Sequence, residues 1–254
     1  MSNAGRSGGM VIGSSGAAVS AGLVPGWRYF NKFAKSSVVS TSFVDVWPNA
    51  STLSYLSSAE RMNIVSTDVN DDEGSTGAET LTIYGLDSNY DEIQESVTLD
   101  GTNNVLTTNS YLRVYRMIVN SAGSTGSNEG TITATAETAA TVQAYVEVGL
   151  NQTLQCQYTV PNGYYLLIND FEVTIQKGDQ ASVYGMVRPL GEVFQVKRAW
   201  NVYQESARFE FNPPFLVPPK TDVTVRAAKI SGAANVDISC AYDGLLIESG
   251  LVNV

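Results

Sequence analysis

From about Val38 to the C-terminus the chain repeats with a period of two. Thr141-Val-Gln-Ala-Tyr-Val-Glu-Val148 alternates polar and apolar residues over eight positions, and Glu79-Thr-Leu-Thr-Ile-Tyr84 does so over six. Successive side chains of a strand point to opposite faces, so this pattern specifies sheets buried on one side and wet on the other. Similar runs recur at 112–119, 131–136, 154–160, 164–176, 181–188, 193–199, 207–211, 221–230 and 236–247, separated by turn residues. Gly85-Leu-Asp-Ser-Asn-Tyr-Asp-Glu92 lies between two such runs and reads as a hairpin tip, as does Pro161-Asn-Gly163. Only Ser57 to Met62 hints at a helical turn.

Four of the eight prolines fall within Pro213-Pro-Phe-Leu-Val-Pro-Pro219. A proline cannot donate to a ladder, so this stretch reads as a stiff crossover, excluded from any central strand. Charged residues are only 16% of the chain, against about 25% in a typical domain. The pattern predicts an all-β protein of one or two β-sandwich domains, the second jelly-roll-like, with an extended N-terminal arm. The expected division is an arm over residues 1–35, a first sandwich over 36–150 and a second over 151–254. The break between the sandwiches is placed at Gly149-Leu-Asn-Gln152.

Residues 1–26 interleave seven glycines with serines and alanines, and such a segment has little reason to fold alone. Residues 1–44 carry Arg6, Arg28, Lys32 and Lys35 and no acid, whereas the whole chain has a net charge of −10. A basic arm therefore precedes an acidic body, and the body repels phosphate backbones, which argues against nucleic-acid binding. At the end of the arm, Trp27, Tyr29, Phe30 and Phe33 stand beside Arg28, Lys32 and Lys35. Aromatic and cationic side chains in one patch are what protein interfaces concentrate. Trp27, Arg28, Tyr29, Phe30, Lys32, Phe33 and Lys35 are accordingly the candidate partner-binding residues.

Several chemistries are excluded or disfavoured. Histidine is absent, which removes Ser-His-Asp and Cys-His nucleophiles and every His-containing metal site. Cys156 and Cys240 are too far apart in sequence for a CxxC site, and Cys240 reads as a buried thiol. No apolar run approaches the roughly 18–20 residues that span a bilayer. In Asp68-Val-Asn-Asp-Asp-Glu-Gly-Ser-Thr-Gly-Ala-Glu79, the residues Asp68, Asn70, Asp72 and Glu79 fall at positions 1, 3, 5 and 12 of a calcium loop. Glu73 occupies the position where such a loop needs glycine, so a solvated acidic turn is the preferred reading and no metal or cofactor is expected. The 13 tyrosines suit packing and cross-strand pairing better than a glycan platform. No catalytic constellation emerges, and the expectation is a protein that is not an enzyme.

Several segments resemble virion structural proteins of tailed bacteriophages. They include Gly26-Trp27 with Lys32-Phe33, Glu95-Ser-Val-Thr-Leu-Asp-Gly-Thr102, Thr108-Asn-Ser-Tyr-Leu-Arg113, Tyr158-Thr-Val-Pro161, Val193-Phe-Gln-Val-Lys197 and Pro218-Pro-Lys-Thr-Asp-Val223. In size, β-content and acidity the chain is similar to head-decoration (cement) proteins. That resemblance implies a homo-oligomer, by analogy a trimer, bound to the major capsid protein on the outer surface of a phage head and made in the bacterial cytoplasm. The alternative it leaves open is a tail or receptor-binding component that recognises a host surface glycan.

Overall fold

A computed structural model describes residues 12–49, 51–203, 206–231 and 235–253. One helix, α1 (Ile12–Ser20), precedes β1 (Trp27–Val39) and the short β2 (Val44–Asp45). Seven strands follow: β3 (Met62–Ser66), β4 (Ala78–Leu86), β5 (Glu92–Thr98), β6 (Val105–Leu106), β7 (Arg113–Ala122), β8 (Ile132–Ala136) and β9 (Val142–Val146). The rest is β10 (Tyr158–Thr159), β11 (Tyr164–Ile175), β12 (Gln180–Arg188), β13 (Gln195–Val202), β14 (Ser206–Val217), β15 (Asp222–Ser231) and β16 (Val236–Glu248). The all-β expectation holds.

Among the described residues the strands form four small antiparallel sheets, the number that a four-bladed, propeller-like ring contains. Burial groups them by twos. Apolar residues of the sheet β1-β16-β11-β14 and of the sheet β10-β15-β12-β13, which β2 joins through β15, gather into one hydrophobic cluster. Those of β6-β3-β8-β9 and β5-β4-β7 gather into another. We call these the outer and inner cores.

The chain builds the outer core from both its ends. β1 pairs with β16 from Trp27↔Ile247 to Val39↔Val236, so residues expected in separate units share one ladder. β2 and β10 both pair with β15, at Val44↔Ala227 and Asp45↔Arg226 for one and Tyr158↔Val223 and Thr159↔Asp222 for the other. One strand position is thus filled by two segments more than a hundred residues apart. The amide of Cys156 donates to the carbonyl of Val46 at 3.3 Å, which brings together the ends of the stretch that forms the inner core. β1 and β2 thus pair within the same two sheets as β10 to β16, and the strands of the inner core, β3 to β9, fall between them in the chain. Pairing between distant segments leaves no local trace, whereas a glycine-rich turn such as Gly149 (φ +76°) does.

Four local readings are corrected. Residues 12–35 are ordered as α1 and β1 rather than extended as an arm; residues 1–11 lie outside the described residues. α1 is held by packing, since Val19 is buried with Leu245 and Ile247 on the outer sheet. Pro161-Asn-Gly163 does not close a hairpin, because β10 pairs with β15 while β11 pairs with β14 and β16. Residues 57–61 hold no helix. Pro213 and Pro214 lie inside β14 rather than in a crossover, and β14 is an edge strand, where a missing donor is tolerated. The 85–92 hairpin is as read, with β4 and β5 paired from Thr80↔Thr98 to Leu86↔Glu92.

Candidate functional site

β1 alternates its side chains between two environments, and that alternation divides the seven candidate partner-binding residues. Phe30 and Lys32 point inward, 6% and 3% exposed, while Tyr29 stands 53% exposed on the other face. Phe30 packs against Tyr158 and Tyr242 with ring centroids 4.6 and 5.7 Å away. Trp27 joins the small cluster under α1. The Tyr29 hydroxyl donates to Asp243 at 2.7 Å, which together with partial burial pushes its pKa up to about 12. Lys35 pairs with Asp237 at 3.5 Å, and the Phe33 ring lies 5.8 Å from the Arg116 guanidinium. Phe30 and Lys32 are withdrawn from the candidate partner surface, because they are committed to the interior of this same chain.

The inward cations meet the inner core. Arg28 donates to Glu92 of β5 at 2.7 Å and stacks over the Tyr164 ring at 4.4 Å. The Lys32 ammonium donates to the backbone carbonyl of Tyr115 on β7. Arg116, also on β7, donates to the Asn31 carbonyl at 3.1 Å. Between these groups is a cavity of about 190 Å³ whose walls include Arg28, Lys32, Glu92, Tyr115, Arg116 and Tyr158. Burial, followed by the charge of Arg116, holds the Lys32 ammonium well below the usual lysine range. Burial likewise raises the Tyr158 phenol well above its ordinary value.

A second charged cluster joins the two cores elsewhere. Asp222 accepts from Arg113 Nε at 2.9 Å, from an Arg188 guanidinium nitrogen at 2.5 Å and from the Thr159 hydroxyl at 2.5 Å. Arg113 also donates to the carbonyls of Leu56 and Leu112. The Tyr55 ring lies between Arg113 and Arg188, at 4.9 and 4.3 Å, and Phe194 between Arg188 and Arg226, at 4.6 and 5.0 Å. Arg226 closes the row on Asp45 at 3.0 Å.

A further cavity, about 440 Å³, opens on the outer sheet beside α1, with Trp27, Tyr29, Asn169, Asp170 and Asp243 in its wall. The acidic loop has a different organiser from the one its spacing pointed to. Asp68 accepts from the Asn70 amide and Asp72 from the Glu73 amide, each closing its own turn. Asp71, which the calcium register skips, is fully buried and accepts from the Ser66 hydroxyl and from the amides of Ala78, Glu129 and Gly130. Among the described residues no group of three or more His, Cys, Asp or Glu side chains is arranged to hold a metal. Cys156 and Cys240, far apart in sequence, are both buried in the outer core, where the Cys156 thiol donates to the Val225 carbonyl at 3.2 Å.

Sequence reasoning singled out residues 27–35, as a docking segment rather than a strand, and missed the groups that complete the cavity. Glu92, Tyr115, Arg116 and Tyr158 come from other strands, and the available signal was a cation inside an apolar strand run, Val114-Tyr-Arg-Met117.

No family model matches the chain, and no curated protein aligns with it. Among solved structures, a particle of the Gt strain of infectious bursal disease virus aligns over 89% of this chain and 71% of its own, at 10% identity and a TM-score of 0.25. The crystal structure of the T13 particle of the same virus aligns over 88% and 70%, at 10% identity and a TM-score of 0.26. Likeness at this level carries no argument about what the chain is.

Proposed function

We propose that this chain is a non-enzymatic structural protein of a virion, a jelly roll with a second β core spliced into its second strand. The observation that carries the reading is the nesting of strand pairs in the outer core. Counting β2 and β10 as one strand, the eight strands pair first with last (β1·β16), second with seventh (β15), third with sixth (β11·β14) and fourth with fifth (β12·β13). The pairs β11·β16 and β12·β15 then stitch them into two sheets of four. A long hairpin rolled up in this way is the jelly-roll plan, which serves in viral capsids, lectins and cupins. A chain without histidine lacks the imidazole ligands of a metal-dependent cupin.

Fold alone does not fix function. The virion reading also draws on the resemblance of the sequence segments to tailed-phage structural proteins. Within that class we favour a head-decoration protein that sits on the major capsid protein at the outer surface as a homotrimer. The edge strands β13 and β14 support an assembly role, because they end the two outer-core sheets and the apolar side chains of Leu190, Val193, Val196 and Tyr203 are exposed on or beside β13. Quantitative mass spectrometry of purified particles, with imaging to locate the chain, tests the proposal. Hundreds of copies on the head are expected. Absence from particles overturns the virion reading, and tens of copies or fewer at the tail overturn the decoration role.

A second reading, a tail or receptor-binding component, is favoured by the 440 Å³ cavity, where Trp27 and Tyr29 stand beside Asn169, Asp170 and Asp243. Aromatic faces next to carboxylate and amide acceptors suit sugar rings and hydroxyls. Glycan-array binding that is lost in Trp27→Ala and Asp243→Asn would establish it.

A further inference from the structure

We propose that the cavity where β1 meets the inner core is a binding site for a small oxyanion of phosphate or sulfate size. This inference is independent of the virion reading, since it rests on charge and burial at that cavity alone.

The first argument is electrostatic. Three cations, Arg28, Lys32 and Arg116, and one carboxylate, Glu92, line the cavity. Glu92 is taken by Arg28 at 2.7 Å. Among the described residues neither Lys32 nor Arg116 has a carboxylate partner, and the two are close enough to repel each other. A buried cation is costly unless it is paired, and a second cation beside it adds to the cost. A bound anion removes both penalties at once.

The second argument is the supply of donors. Lys32 is 3% exposed, and its ammonium has three protons, of which one goes to the Tyr115 carbonyl. The phenols of Tyr115 and Tyr158 also border the cavity. Ammonium, guanidinium and two phenols therefore border one space whose one carboxylate, Glu92, is already paired with Arg28. Such charge-assisted donors are the strong ones toward phosphate and sulfate oxygens.

Size sets the class of ligand. A cavity of about 190 Å³ has room for one small tetrahedral anion together with its waters. The Arg28–Glu92 pair is self-neutralised and, with side chains 45% and 31% exposed, lies nearer solvent than Lys32.

The test is a calorimetric titration of the full chain with inorganic phosphate at constant ionic strength, run beside sulfate and acetate. It is repeated on Lys32→Met, Arg116→Gln and the distant control Arg61→Gln. The expected result is saturable binding of phosphate or sulfate to the wild type and to Arg61→Gln, weakened at least tenfold in Lys32→Met and in Arg116→Gln. Thermal melts should follow, with phosphate raising the Tm of the wild type in the manner of a ligand that binds only the folded state. Equal binding by all four proteins, or no saturable binding by the wild type, overturns the proposal. Acetate binding tighter than phosphate overturns the assignment to a tetrahedral anion. Should Lys32→Met fail to fold, Arg116→Gln, which alters a side chain nearer solvent, decides alone.

Discussion

The two cores of this chain touch at two charged patches, and the patches treat burial in opposite ways. At one, Arg113 and Asp222 are nearly sealed, with side chains 8% and 5% exposed. The charged groups there are answered: Asp222 by two arginines and Thr159, Arg113 by Asp222 and two backbone carbonyls, Arg188 by Asp222 and two aromatic rings. At the other, Lys32 is just as buried, yet it is answered by one carbonyl and opposed by Arg116. The closed patch has the form of a structural lock and the open patch the form of a receptor. Burial is common to both, and what separates them is whether the charges are complemented from within.

The largest effect should come from opening the closed patch. Asp222→Ala leaves Arg113 buried without its carboxylate, and removal of one partner of a buried pair costs about 3–5 kcal/mol. Urea unfolding should show a loss of that size, and a loss below about 1 kcal/mol would mean that Arg113 finds water. The open patch should respond with the opposite sign. Lys32→Met keeps most of the apolar stem and removes the uncomplemented charge, so stability in phosphate-free buffer should rise by about 1–3 kcal/mol, the range for an imperfectly bonded buried polar group. If instead it falls, Lys32 is complemented by something that the geometry does not show.

That gain should depend on pH. Burial, and then the charge of Arg116, lowers the Lys32 pKa in the folded state. Between the lowered value and the ordinary 10.5, the unfolded chain binds more protons at this residue than the folded one. Stability at this residue therefore increases as pH rises through that window. The charged groups that face Lys32 are Arg116 from β7, Arg28 from β1 and Glu92 from β5, with the phenols of Tyr115 and Tyr158. The stabilising effect of Lys32→Met should thus be greatest at the acid end of the window and shrink as pH approaches 10.5. A constant difference across that range would show that Lys32 titrates normally.

The difference between the patches was only partly legible in the sequence. Alternation announces the strands, and it places Lys32 on the same face as Phe30 and Ala34 once β1 is known to be a strand. Residues 27–35 read instead as a docking segment, because aromatic and cationic residues clustered after a glycine-rich stretch are also the mark of an interface. The two readings are closer than they look, since the segment does dock, onto β16 and β7 of its own chain. What the local pattern could not carry was the partner: Phe30 sits opposite Gly244, and Lys32 reaches Tyr115. β2 has two residues, too few for any periodicity, so the splice of the inner core into one strand position was invisible. α1 is likewise a product of its contacts with Leu245 and Ile247 rather than of its own glycine- and serine-rich sequence. Deletion of residues 1–35 would therefore remove most of an edge strand, and a test of the N-terminus as a tether has to stop short of α1.

The smallest effect sharpens the comparison most. Arg61 and Glu137 form a two-pronged pair at 3.1 and 3.0 Å, close in geometry to the 2.9 and 3.3 Å of Arg113 and Asp222. Their side chains, however, are 45% and 39% exposed. Water screens the attraction and solvates either partner when the other is removed, so Arg61→Ala should change stability by less than about 1 kcal/mol and lose even that in high salt. The contrast with Asp222→Ala then isolates burial as the cause, because the hydrogen-bond geometry is nearly matched between the two pairs. If both substitutions cost the same, geometry rather than burial sets the strength of these pairs, and the expected gain from Lys32→Met loses its basis.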